Sequence, residues 1–135
     1  MTNQNLTASN IKYLLTVAVL LEKDRGVRCV DVAKYLNVAR PSALRALECL
    51  QSLKLLCRDE CGVWDLTKYG TSMAKQYHHF YKIVWDFFCQ LLPPTADRVA
   101  VTYALLAEIP LKDMDFVCQK LQAKSNDEIS VSKFS

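Results

Sequence analysis

The sequence predicts a mainly α-helical chain with one small β-hairpin set between helices. Three observations predict it. Of the 135 residues only 3 are Gly and 4 are Pro, and these cluster at turns. Apolar residues recur at spacings of three and four over most of the length, the period of an amphipathic helix. Within residues 55–67, two short apolar runs flank an acidic, glycine-containing turn, Asp59-Glu60-Cys61-Gly62, which is the pattern of a hairpin.

Composition bounds the answer. At 51% hydrophobic residues the chain can bury a real core, and its length suits one domain or a small module plus a dimerisation element. The net charge of +3 is mild, so any polyanion partner must be met by a local basic patch. No apolar run reaches about 18 residues, so no membrane span is expected. Residues 13–21, bounded by Lys12 and Lys23, lack the basic start and small-residue cleavage site of a signal peptide. A cytoplasmic protein with reduced thiols is the expectation.

Taken in order, residues 1–5 read as a loose polar arm. Thr7 or Ser9 caps a helix running to about Lys23, with Ile11, Leu14, Leu15 and Val17 on its apolar face. Gly26 reads as its left-handed cap. Residues 27–29 form a short strand that pairs with the hairpin. A second helix spans 31–36, with Val32, Ala33 and Leu36 on one face and Asp31 as N-cap or first-turn acid. Asn37 supplies the sharp helix end. A third helix opens at Arg40-Pro41-Ser42, where proline loses no hydrogen bond. Ala43, Ala46, Leu47, Leu50 and Leu53 make its apolar stripe; Ser42, Arg45, Cys49 and Ser52 lie opposite. The hairpin closes with Leu66-Thr67-x-x-Gly70. Helix, tight turn, helix and hairpin together are the layout of a winged helix-turn-helix.

Residues 71–92 then read as one long helix with an aromatic stripe: Met73, Tyr77, Phe80, Tyr81, Val84, Phe87, Phe88 and Leu91. Pro93-Pro94 stops it, and helices over 96–108 and 111–121 follow. The division is a winged helix-turn-helix DNA-binding domain over 1–72, a helical dimerisation domain over 73–123 and a flexible tail over 124–135. Three helices with an aromatic face are too few to stand alone, so they would bury it against a twin chain.

A groove-facing helix with small polar groups and arginine at its start suits the DNA major groove. Arg45 is the expected base reader, with Arg40 and Ser42 at the helix start. Arg58 in the wing and Lys34 on the preceding helix are expected to meet phosphates. Double-stranded DNA read by a homodimer is the expected partner. The alternative is a winged-helix protein–protein adaptor without DNA binding. An enzyme is not expected: there is no nucleophile–base pair, no Gly-rich phosphate loop and no carboxylate dyad at useful spacing. Most of the 6 cysteines read as small buried apolar residues. Cys57 and Cys61 read either as plain wing residues or as a redox pair or half a metal site.

In these features the chain resembles the iron- and manganese-dependent repressor family, the diphtheria toxin repressor and manganese transport regulator group. The matching residues are Leu6-Thr7 before a first helix containing Tyr13, Val30-Asp31-Val32-Ala33-x-x-Leu36, Pro41-Ser42, and Leu66-Thr67-x-x-Gly70. The match extends to about Leu121, without the C-terminal barrel of longer members, and so is nearer the short manganese-type form. The resemblance implies a site for Mn²⁺ or Fe²⁺ joining the DNA module to the dimerisation helices. Carried across without gaps, its ligands fall on Lys12, Leu15, Tyr81, Tyr103, Leu106 and Ala107, none of which is a good hard-metal ligand. No cofactor is therefore expected, unless register slips bring His78, His79 or Glu108 into a Mn or Fe site. The implied protein is a transcriptional regulator that binds DNA without metal, locked by Lys12 between two phenols, or answers another signal.

Overall fold

The computed structural model describes residues 6–134, with side chains through Lys124. Its elements are α1 (Ala8–Leu21), β1 (Val27–Arg28), α2 (Cys29–Leu36), α3 (Arg40–Ser52), β2 (Leu56–Arg58), β3 (Val63–Leu66), α4 (Lys68–Leu91), α5 (Arg98–Glu108) and α6 (Leu111–Phe134). The strands form one antiparallel sheet in the order β1-β3-β2. The fold is a mainly α winged helix-turn-helix followed by helices. It divides into two compact units, Ser9–Tyr77 and the residues from His78 onward together with residues 6–8. The predicted arm over residues 1–5 lies outside the described residues.

In the first unit, α1 buries Ile11, Leu14 and Val17 completely. Its helix stops at Leu21, and Gly26 is not the left-handed cap that the sequence suggests. Among the described residues, the positive-φ positions are Asn37, Lys54 and Gly62. Gly26 is needed for space: a Cβ there would run into the Val63 side chain. β1 is thereby drawn against β3, with Val27 opposite Trp64 and Arg28 opposite Val63.

The chain passes from β1 straight into α2, two residues before the predicted start. Asp31 sits in the first turn, where its carboxylate accepts the Arg28 N–H at 3.2 Å. Asn37 takes the left-handed conformation at φ 55°, and the Val38 N–H returns to the Ala33 carbonyl at 3.0 Å. α3 then starts with Pro in its first turn and buries Ala43, Leu47 and Leu50 against α2 and β2. Each fully buried leucine contributes about 1.5–3 kcal/mol relative to exposure.

Lys54, at φ 66°, turns the chain from α3 into the sheet. β2 pairs with β3 so that Leu56, Cys57 and Arg58 face Leu66, Asp65 and Trp64. Trp64 is wholly buried. α4 begins at Lys68, three residues before the sequence suggests. Thr67 is the reason: its hydroxyl accepts the Gly70 N–H at 2.9 Å and donates to the Lys54 carbonyl at 2.7 Å. The signature that closes the wing therefore also opens the next helix.

In the second unit, Phe80 and Val84 of α4, Leu106 of α5, and Met114 and Cys118 of α6 are buried. α5 starts at Arg98 because the Asp97 carboxylate accepts the Ala100 N–H at 3.0 Å. α6 differs most from expectation. It does not end at Leu121 but continues to Phe134, so the residues predicted as a flexible tail are helical as far as 134. Cys118 is the one buried cysteine; Cys29 and Cys89 are half-buried, and Cys49, Cys57 and Cys61 are exposed. The reading of most thiols as buried apolar groups is thereby corrected. Among the described residues, no helix is long and apolar enough to cross a membrane.

Candidate nucleic-acid interface

The apolar stripe of α3 faces inward, which fixes what faces out. Arg40, Ser42, Arg45, Glu48, Cys49 and Ser52 are all exposed. Arg40, Ser42 and Arg45 fall in the first half of the helix, so its leading end is basic and small. Glu48 is the only acid of α3. It lies one turn beyond Arg45 and confines the cationic surface to that leading end. Cys49 departs from the open face, since its thiol donates to the Asn10 side chain of α1 at 3.7 Å. Ser52 also turns back, its hydroxyl donating to the Cys49 carbonyl at 2.6 Å. The exposed face free for a ligand is thus shorter than the sequence suggests.

The turn ahead of α3 is tied down by a side chain. The Cys29 thiol, at the start of α2, donates to the Arg40 carbonyl at 3.6 Å. Lys34 is exposed on the last turn of α2, beside Tyr35.

The wing turn is organised by Asp59. One carboxylate oxygen accepts the N–H of Cys61 at 2.8 Å and of Val63 at 2.9 Å. The Asp59 N–H in turn donates to the Val63 carbonyl at 2.9 Å. Arg58 is exposed, and its guanidinium lies over the Trp64 ring at 5.1 Å. On the opposite side of β3, Arg28 reaches the turn, its Nη1 donating to the Cys61 carbonyl at 3.2 Å. Sequence spacing alone does not single out Arg28. The available signal was a basic residue on the strand expected to pair with the wing. Cys57 and Cys61 are both free thiols, and Cys57 donates across the ladder to the Asp65 carbonyl at 3.6 Å.

The positions implied as metal ligands hold a different chemistry. On α1, Lys12 is half-buried and Leu15 is 6% exposed. In the second unit, Tyr81 and Tyr103 meet with ring centroids 5.0 Å apart, and Tyr81 stacks on Trp85 at 6.3 Å. Burial, and secondarily the Cys89 thiol, raises the Tyr81 phenol above its ordinary value, which keeps it protonated. Leu106 is wholly buried, and Ala107 offers no donor atom. This set does not fit a hard dication. α4 runs unbroken through His78 and His79, Glu108 is the last residue of α5, and all three side chains are exposed. Among the described residues, no group of three or more His, Cys, Asp or Glu side chains could hold a metal ion. The second unit also carries a cleft of about 570 Å³, lined by Ile83, Asp86, Phe87, Cys89, Gln90 and Leu121 among others.

No protein-family model matches the chain, and no curated protein matches it. Solved structures do. A hypothetical protein of Sulfolobus solfataricus is similar with a TM-score of 0.63 and 21% identity, over 86% of this chain and 89% of that one. The manganese regulator SloR gives a TM-score of 0.62 at 20% identity, and T. acidophilum IdeR gives 0.61 at 18%. Both cover 88% of this chain, while the match takes in 55% of each of those longer chains. What these proteins share with this chain is the fold: a mainly α winged helix-turn-helix continued by a helical region.

Proposed function

We propose that the protein is a DNA-binding transcriptional regulator that works as a homodimer and needs no metal. The observation that carries the reading is the leading end of α3. Arg40, Ser42 and Arg45 are exposed there on a helix whose opposite face is pinned in the core, behind a turn fixed by Asn37. That is the shape and charge a major groove accepts. Arg45 reads base edges, Arg40 and Ser42 flank it, and Arg58 and Lys34 hold phosphates. The likeness of fold to a manganese regulator supports a regulatory rather than an enzymatic role. Exposed Leu91, Val99 and Phe116 on α4, α5 and α6 support a twin chain as partner. Metal independence is supported by the donor set: a lysine, two leucines, an alanine and two phenols stand where the resemblance implies ligands.

The test is selection of fragmented genomic DNA by the purified full chain, in EDTA and again with Mn²⁺, each with and without reductant. A palindrome enriched in EDTA is the expected result. Enrichment only with Mn²⁺ would overturn metal independence. No enrichment under any condition would leave the adaptor reading. A dependence on reductant would make Cys57 and Cys61 a sensor. On the enriched site, Arg45→Ala costs about 1–3 kcal/mol and relaxes sequence preference at the contacted base.

A further inference from the structure

We infer that Arg28 is the residue that makes an acidic wing compatible with DNA, holding the wing turn with one donor and a backbone phosphate with the others. This rests on the DNA-binding reading above.

Arg28 occupies the N-cap position of α2, at φ −100° and ψ 153°. Ser, Thr, Asp or Asn there would fold its side chain onto the first-turn amides. Arginine has five donors and no acceptor, so it cannot. The cap is supplied from the other side, by the Asp31 carboxylate on the Arg28 N–H. The Arg28 side chain is thereby released from its own helix. It crosses 33 positions of sequence to the Cys61 carbonyl in the wing turn.

The charge of that turn gives the contact a purpose. Asp59 and Glu60 are its first residues and both are exposed. A wing tip with two carboxylates would be repelled by phosphates. Two guanidiniums flank it: Arg58 from β2, spread over Trp64, and Arg28 from β1. Because the sheet order is β1-β3-β2, they approach from opposite sides of the central strand. Binding the Cys61 carbonyl occupies one donor of Arg28, and the residue remains exposed. Among the described residues, no carboxylate pairs with its guanidinium. Arg28 is therefore a positioning residue for the wing and a phosphate contact in one.

The experiment measures affinity of the full chain for its enriched site against salt concentration, for the native protein and for Arg28→Ala, Arg28→Gln and Arg28→Lys. Arg28→Ala is expected to weaken binding about tenfold and to lower the slope of log affinity on log salt by about one. Arg28→Gln keeps a donor for Cys61 without charge and should still lose the slope. Arg28→Lys keeps the charge and should restore the slope while recovering only part of the affinity. A native slope in Arg28→Ala would overturn the proposal. So would full rescue by Arg28→Gln, which would leave a purely structural bond. If the native chain binds no DNA, the underlying reading fails first and Arg28 falls with it.

Discussion

Gly70 sits where a methyl group has no room. A Cβ there would land on the Leu55 carbonyl oxygen, and backbone on both sides prevents either group from giving way. The neighbouring Thr67 hydroxyl bonds both the Gly70 N–H and the Lys54 carbonyl, which holds the two segments at that distance. Gly70→Ala should therefore destabilise the protein by about 1–3 kcal/mol or more, read as a fall in the urea midpoint. An unchanged midpoint would show that the contact is slack. The need for glycine at position 70 is visible in the sequence motif, and so is the need for it at 26. What glycine supplies is not. At 26 a torsional role is the natural reading, yet the structure requires empty space beside Val63. Space is set by a strand that arrives nearly forty residues later, and local sequence holds no record of it. The role of Arg28 is hidden from local sequence for the same reason, since its partner is a carbonyl distant in the chain.

α3, the turn before it and the wing strands are legible because each combines a strong period with a punctuating residue: Asn37, Pro41 and Gly62. Boundaries moved where a side chain, not a pattern, sets them. Thr67 starts α4 early and Asp97 starts α5 late. For α6 the sequence suggests an end near Leu121, because the residues beyond it are polar. Polarity removes burial, but the segment holds no Gly or Pro, and Gln, Ala, Lys and Glu are good helix formers. The wing illustrates how few groups organise an element. Asp59→Ala removes the acceptor for two backbone N–H groups and should speed hydrogen exchange at Cys61 and Val63 while leaving α3 protected. Equal protection in the variant would mean that the ladder alone holds the turn.

Across the whole molecule, three groups tie stability to alkaline pH. Burial raises the Cys118 thiol above its ordinary 9.0, with Asp115 adding to it. It also raises the Tyr13 and Tyr81 phenols above 10.0. Each folded group holds its proton longer than the unfolded chain does. Their contribution is whole below pH 9 and is lost as pH climbs through the raised values. Thermal midpoints should fall from about pH 9 upward, and less steeply in Cys118→Ala; a flat profile to pH 11 would contradict the assignment. At this scale the aromatic stripe of the long helix is readable from its period, whereas the meeting of Tyr81 with Tyr103 follows from the family resemblance and not from spacing, because it depends on how α5 folds back. The sheet carries a last consequence. Its central strand is covered on both sides, and its rims are a strand of two residues and one of three. A rim that short offers a foreign strand almost no ladder to copy, so the protein resists edge-to-edge fibre growth although half its residues are hydrophobic.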